Sequence, residues 1–344
     1  MRVFLFEFVS GGGWWKVDPT ARPPKSLLRE GKTMLAALAS DLAAIDGCEV
    51  LFLQDRRVRT PVEVPGAQRI TVAGPNELFR QFRDLAPQTD YGIIIAPEFN
   101  GYLSDWAAKW RLLDGTLLGP SNEFIRLAES KSRTAEHLAA VGLRVPQGMQ
   151  LGWPEKLPPD FPLPAVLKPD DGAGSQGLIY IRERRDGAVR KRMNFSDWRL
   201  EQYCPGLPVS VAILAGSAGP VALPACLQWL TDDYRFRYQG GMAPIREDLN
   251  ARAQQLAFAV AAAMPPAIGY FGIDMILGEA ADGSEDYVIE VNPRLTTSYV
   301  GLRAIARGNL AAAMLNIAAG QPGDLSFEDR RVQFTPDGQV VALS

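Results

Sequence analysis

The chain is poor in the residues that most often carry chemistry. It holds one histidine, His137, among 344 residues, which excludes any site built on two or more histidines. A Ser-His-Asp triad is excluded too unless His137 itself serves. That residue lies in Thr134-Ala-Glu-His-Leu-Ala-Ala, a helical-looking stretch in which it reads as a surface side chain. Only three cysteines occur, Cys48, Cys204 and Cys226, with no C-x-x-C spacing. A disulfide framework and a cysteine-rich zinc site are both excluded. Neither charge sign dominates: 36 Lys and Arg against 39 Asp and Glu leave a net charge of −3. That balance disfavours a protein that coats nucleic acid or an anionic membrane. No run reaches the ~18 uninterrupted apolar residues of a membrane span. The start, Met1-Arg-Val-Phe-Leu-Phe-Glu-Phe-Val, is too short and too acidic for a signal peptide. A soluble, cytoplasmic protein is expected.

Two phosphate-binding signatures are missing as well. No G-x-x-x-x-G-K-[ST] occurs, and Ser10-Gly-Gly-Gly13 fails the dinucleotide fingerprint because the sixth residue from Gly11 is Lys16.

What is present is apolar material for a sizeable core, 47% of the chain against 22% charged. A prior of roughly 150 residues per domain gives two or three domains. The first 115 or so residues alternate strand and helix signals: Val3–Val9, an amphipathic helix over Leu27–Ile45, then Glu49–Leu53 and Tyr91–Ala96. Continuous apolar strands between helices predict a small parallel, Rossmann-like sheet. Ser10–Gly13 leaves the first strand at its carboxyl end, where open α/β sheets bind ligands, and reads either as a plain loop or as a substrate contact through Ser10 and Gly11.

Downstream, Asn122–Val141 reads as one helix stopped by Gly142 and Pro146. A proline-rich stretch over Trp153–Pro164 follows. Strands Ala165–Pro169 and Leu178–Ile181 flank Asp170-Asp-Gly-Ala-Gly-Ser-Gln-Gly177. That loop is longer than a hairpin needs, which suggests a flap over a ligand. Strands follow at Val209–Leu214, Val221–Leu230, Gly272–Leu277 and Tyr287–Val291, with a helix over Asp248–Met264 and a short strand candidate at Arg331–Phe334.

Two constellations carry chemistry. Lys168 ends an apolar strand just before the glycine loop, and backbone N–H groups with a lysine can cradle phosphates; strand-end lysines and glycine hairpins are also common without that role. Asp274, Glu290 and Asn292 lie on two apolar strands, the latter pair on one face. Antiparallel pairing would bring three oxygen donors together as a hard-cation site suited to Mg²⁺, since a carboxylate buried there alone would be costly.

Lys131, Lys168 in Val-Leu-Lys-Pro, Gly172-Ala-Gly-Ser-Gln-Gly177, Glu201-Gln-Tyr-Cys-Pro-Gly206, Asp274 and Glu290-Val-Asn-Pro-Arg294 occur in the order and spacing of the ATP-grasp ligases. The chain resembles that superfamily over residues 120–320. Within it, Glu7-Phe-Val-Ser, Glu30-Gly-Lys and Asn292-Pro-Arg-Leu-Thr-Thr-Ser-Tyr299 look like the tyramine–glutamate ligases of methanofuran biosynthesis. Pyrrolysine-type amino-acid ligases share a similar Glu-x-Asn-Pro-Arg end.

The resemblance implies an α/β, ATP-grasp fold of two α+β lobes clasping ATP: residues 118–200 with the flap, 201–344 with the metal site, and a Rossmann-like domain over 1–117 ahead of them. It implies Lys131 and Lys168 on the ATP phosphates, with Gly172, Ala173, Gly174 and Ser175 closing over them. Glu201 to Cys204 would be the hinge, the backbone of Gln202 and Cys204 meeting adenine. Asp274, Glu290 and Asn292 would bind Mg²⁺, with Mn²⁺ an alternative, and Arg294 would stabilise the transferring phosphoryl group or acyl phosphate.

It also implies small-molecule substrates, glutamate and an aromatic amine, and no nucleic-acid or membrane partner. Dimers are frequent in the superfamily, so a homodimer is one arrangement it implies; the sequence itself does not give the oligomeric state. Arg235 and Arg237 share a strand face if extended, which suits a substrate carboxylate or a solvated edge equally, and the Tyr238-Gln-Gly-Gly241 turn after them is a further candidate substrate contact. Trp14-Trp15 could pack an aromatic acceptor or simply the core. Pro208 stands where many relatives carry a ribose-binding glutamate, and Gly272 where some peptide ligases carry an arginine. A ligase for another amino-acid pair and a nucleotide-binding sensor without catalysis are the rival readings.

Overall fold

The computed structural model describes residues 1–152, 157–171, 177–184 and 197–343. The N-terminal unit runs β1 (Arg2–Glu7), α1 (Lys25–Ala43), β2 (Glu49–Asp55), β3 (Ala67–Val72), α2 (Pro75–Leu85), β4 (Tyr91–Ile95) and α3 (Tyr102–Leu112). Its sheet is parallel, ordered β3-β2-β1-β4. Alternation along β1 explains why the strand is apolar throughout. Val3 and Leu5 enter one core with Leu35, Leu38 and Leu42 of α1. Phe4 and Phe6 enter the other, where Phe4 stacks on Trp110 at 4.8 Å and Phe6 meets Phe82 edge-on at 4.8 Å.

Residues 122–141 form two helices, α4 (Asn122–Ala128) and α5 (Lys131–Ala140), where one was expected. Ser130 is extended (φ −110°, ψ 114°) and its hydroxyl accepts from the Arg133 N–H at 3.2 Å, capping α5. Asp170 sets the break: it accepts from the Ser130 hydroxyl at 2.5 Å and from the Ser132 N–H at 2.9 Å. The result starts a new helix at Lys131, against the end of the strand that carries Lys168.

That strand belongs to an antiparallel sheet of β5 (Gly148–Gly152), β6 (Ala165–Pro169), β7 (Ile179–Ile181) and β8 (Asp197–Gln202), ordered β5-β8-β6-β7. The large sheet comprises β9 (Leu207–Ala215), β10 (Val221–Ala222), β11 (Cys226–Leu230), β12 (Tyr238–Ala243), β13 (Gly269–Leu277), β14 (Tyr287–Asn292), β17 (Val332–Phe334) and β18 (Val340–Ala342). Helix α6 (Glu247–Ala263) crosses between β12 and β13. After β14 come α7 (Ser298–Ile305), the short pair β15 (Ala306–Arg307) and β16 (Ser326–Phe327), and α8 (Leu310–Ala318) between them. No helix among the described residues is long and apolar enough to cross a membrane.

Two expectations need correction here. Val221–Leu230 is not one strand: β10 and β11 are separated around Pro224, which has no N–H for a ladder. The Tyr238-Gln-Gly-Gly241 segment is strand β12 rather than a turn. Gly240, at φ +125°, lies so close to its neighbour that a Cβ would sit 2.1 Å from the Phe334 carbonyl oxygen, so glycine here serves strand packing.

One core joins the N-terminal unit to the large sheet, containing Leu38 and Leu42 of α1 with Leu302 and Ile305 of α7 and Met314 of α8. Asp41 of α1 locks the contact, accepting from Tyr299 Oη at 2.7 Å and Arg303 Nε at 3.0 Å. At its other end α1 lies directly on Glu7: a Cβ on Gly31 would be 2.4 Å from the Glu7 carboxyl carbon and Oε1. Gly31→Ala should therefore lower the stability by about 1–3 kcal/mol, the usual cost of overpacking, read as a lower urea midpoint. An unchanged midpoint would contradict this packing.

Candidate active site

A cleft of about 1970 Å³ opens between the small sheet, the large sheet and α1. Lys131, Lys168, Glu201, Gln202, Cys204, Asp274, Glu290, Asn292 and Arg294 all line it. Gly172, Ala173, Gly174 and Ser175, the expected flap, lie outside the described residues.

The acidic side is built by register. β13 pairs antiparallel with β14, which sets Asp274 opposite Glu290, and a bulge follows between Asp274 and Met275. Bulges recur beside active sites because they re-aim a side chain. Asp274 accepts from Gln228 Nε2 and from Asn292 Nδ2, each at 3.0 Å. Burial, and then the negative charge of Glu290, push its carboxyl up to about 6, against the partial help of Asn292 and Arg294. Lys131 Nζ lies 3.1 Å from Glu290 Oε1.

Two half-buried carboxylates facing each other with incomplete compensation are the surroundings a divalent cation would relieve. The donors at hand are all oxygen, as Mg²⁺ prefers: Asp274, Glu290 and the amide oxygen of Asn292. Among the described residues no three His, Cys, Asp or Glu side chains gather as a metal cluster, so Asn292 is needed as the third donor. The residues fit the ion.

The basic side is held by a buried carboxylate. Glu201 on β8 takes Lys168 Nζ at 2.5 Å on one oxygen and Arg199 Nε at 2.8 Å on the other. All three side chains are under a tenth exposed. Arg199 also donates to the Pro146 carbonyl at 3.0 Å, so the ammonium of Lys168 is fixed at the cleft wall. In the expected hinge segment, the Gln202 N–H donates to the Gln147 carbonyl at 2.8 Å and the Tyr203 N–H to the Pro164 carbonyl at 3.1 Å. The Gln202 N–H is thus engaged in the fold.

Arg294, just past β14, is largely but not fully buried and donates from its terminal nitrogens to Glu98 Oε2 at 3.2 Å and the Leu295 carbonyl at 3.2 Å; its Nε lies 2.9 Å from Glu98 Oε1. Burial works against its charge, yet Glu98, Glu30 and Glu290 outweigh burial and hold the guanidinium above its ordinary range. Glu98 escaped the sequence reading, and Glu30, which accepts from Thr297 Oγ1 at 2.7 Å, entered it only within the family-like Glu30-Gly-Lys. Glu98 had a signal, since it follows the strand Tyr91–Ala96 at its carboxyl end, the ligand edge of a parallel sheet.

The weaker substrate candidates fare differently. Ser10 and Gly11 do not line the cleft. Ser10 is fully buried, its N–H donating to Glu7 Oε2 at 2.6 Å and its carbonyl accepting from Gln54 Nε2 at 3.0 Å. The loop is packed inward because Glu7 needs its N–H groups. Arg235 and Arg237 line the cleft but share no strand: Tyr234 and Phe236 both take left-handed conformations (φ 60° and 48°), making a turn. Arg237 is exposed and binds Asp233 at 2.6 Å. Trp14 and Trp15 are core residues. His137 is half-buried rather than on the open surface, with Nε2 2.8 Å from the Ala263 carbonyl oxygen.

Glu7 itself gives a testable pH dependence. Burial pushes its carboxyl up to about 7, with the Val9 and Ser10 N–H groups opposing and Glu30 adding to the rise. The folded state then holds this proton more tightly than the unfolded chain does. Stability should fall as the pH rises from about 4.5 to about 7, by on the order of 3 kcal/mol from this group. Comparing wild type with Glu7→Gln by urea denaturation across that window isolates the effect; equal slopes would contradict it.

An ATP-grasp domain model matches residues 128–298, and a pre-ATP-grasp domain model matches residues 48–125. The tyramine–L-glutamate ligase of Methanocaldococcus jannaschii is 23% identical over 337 residues, 97% of this chain and 94% of that one. Among solved structures, an ATP-grasp superfamily protein from Archaeoglobus fulgidus aligns with a TM-score of 0.71 at 21% identity, covering 97% of this chain and 92% of that chain. An ADP complex of N5-carboxyaminoimidazole ribonucleotide synthetase aligns with a TM-score of 0.72 at 18% identity, covering 97% and 81%.

Proposed function

The chain is an ATP-grasp ligase, and from that premise we propose that it joins glutamate to tyramine or a related aromatic amine through an acyl phosphate. What carries the reading is one arrangement: Lys131, Lys168, Asp274, Glu290, Asn292 and Arg294, from four separate elements and their margins, line a single cleft. The tyramine–L-glutamate ligase likeness, spanning nearly the whole of both chains, supports the substrate pair. The division into residues 1–117, 118–200 and 201–344 belongs to the same reading, as does a cleft that takes small molecules.

The chemistry sets the roles. A carboxylate oxygen forms a bond to the γ-phosphorus of ATP as the bond to ADP breaks. The amine then attacks the acyl carbon, phosphate leaves, and the amine nitrogen loses a proton. Two anions must meet in the first step, so the main task is neutralisation and alignment. Lys168, fixed by Glu201, and Lys131, at the start of α5, supply compact positive charge for phosphate oxygens. Asp274, Glu290 and Asn292 would hold Mg²⁺, which when bound supplies further charge neutralisation at the phosphates. Arg294 turns its remaining N–H groups to the oxygen on which charge develops. No side-chain nucleophile is required, in keeping with the single histidine.

The test is ADP release with MgATP across a panel of amino acids, with and without amines, with mass spectrometry of the same reactions. Glutamate with tyramine should give ADP and one new amide. ADP with another pair would discard these substrates and keep the mechanism. Tight MgATP binding with no turnover by any pair would favour a sensor.

A further inference from the structure

We propose that Glu98, in the loop after β4, is a positioning residue: it holds Arg294 in place and so makes the N-terminal unit part of the catalytic machinery. The inference rests on the ligase reading for the role of Arg294, and on geometry for the rest.

A terminal nitrogen of Arg294 donates to one carboxylate oxygen at 3.2 Å, and Nε makes an ion-pair contact with the other at 2.9 Å. The two side chains are 13% and 4% exposed. A guanidinium has five N–H donors. One terminal N–H goes to Glu98 and one to the Leu295 carbonyl, while Nε lies against Glu98 Oε1 without a hydrogen bond, which leaves two terminal N–H groups for the cleft that Arg294 lines. Other carboxylates compete for this cation, because Glu30 and Glu290 both lie close enough to raise its pKa. The paired grip of Glu98 keeps Arg294 away from Glu290, which stays with Lys131 and with any bound cation.

The loop reaches the other lobe too. Asn100, in a left-handed conformation (φ 54°, ψ 22°), donates its N–H to Asp171 Oδ2 at 3.0 Å. One short loop therefore touches both the arginine and the residue that leads into the glycine segment. A buried ion pair adds little net stability over an apolar pair, so stability alone is a weak reason for this one.

The experiment compares wild type, Glu98→Gln, Arg294→Gln and the double variant. Glu98→Gln should lower kcat about 10- to 100-fold, a fraction of what losing a transition-state donor costs, with KM for ATP nearly unchanged. In the Arg294→Gln background, Glu98→Gln should change kcat no further; independent, multiplying losses would overturn the proposal. That second comparison uses two variants with no unpaired arginine, so it decides even where Glu98→Gln alone folds poorly.

A binding readout separates this inference from the substrate question. Glu98→Gln should weaken binding of MgADP with fluoroaluminate, a mimic of the transferring phosphoryl group, at least tenfold while MgADP alone binds as in wild type. Equal binding of the mimic by both proteins would overturn the proposal. Wild type that binds the mimic, loses it on Glu98→Gln and turns over no acid–amine pair would sink the substrate reading and uphold the role of Glu98.

Discussion

Asp274→Asn should lower ligase turnover at least about 100-fold, the scale of several kcal/mol of lost charge stabilisation at the phosphates, while making the metal-free protein more stable. The two effects share one cause. Asp274 is half-buried beside Glu290 and its carboxyl is pushed up to about 6, so at neutral pH its charge works against the fold. A group whose folded pKa is raised destabilises above that pKa, and removing its charge recovers part of the difference, about 1–3 kcal/mol. Asparagine can still accept from Gln228, and the Asn292 amide can turn to meet it. Steady-state ADP release and calorimetric melting without metal check the pair of outcomes. Wild-type turnover would contradict the assignment of Asp274, and a lower melting temperature would contradict the electrostatic account.

The second large effect lies on the opposite wall. Glu201→Ala should destabilise the protein by about 3–5 kcal/mol, because it leaves buried cations without their counter-charge. Lys168 and Arg199, 7% and 4% exposed, both meet the carboxylate that would be lost. Glu201→Gln, which keeps one of the two acceptor oxygens, should cost less. Urea denaturation of the two variants measures the difference. Equal, small losses would mean that Lys168 is held by something other than Glu201, and its fixed place at the cleft would need another cause.

The parts of this architecture legible in the sequence are those written in local composition. β1 reads as a doubly buried strand because both of its faces meet apolar layers. Glu290 and Asn292 share a face by simple alternation, and the pairing of β13 with β14 delivers Asp274 to Glu290 as antiparallel geometry requires. What stayed hidden depends on partners distant in the chain. The break at Ser130 is invisible in Ala-Glu-Ser-Lys-Ser-Arg, which is compatible with a continuous helix; Asp170, forty residues on, makes it. β3 is half exposed, with no clean alternation to announce it. The glycines of β12 resemble a turn until the neighbouring strand is seen to press on them. Glu98 gains meaning only from Arg294, which lies about 200 residues away. The residues that line the cleft were legible from their own strands and motifs, while their supports are drawn from wherever the fold brings them.

The central claim is that a carboxylate is activated as an acyl phosphate in the cleft bounded by Lys168, Asp274 and Arg294. The most direct test supplies the acid substrate with both carboxylate oxygens labelled with oxygen-18, then follows the label by mass spectrometry. This account predicts one labelled oxygen in the inorganic phosphate for each amide formed, with ADP as the other product. Unlabelled phosphate alongside amide, or release of AMP and pyrophosphate, would contradict it.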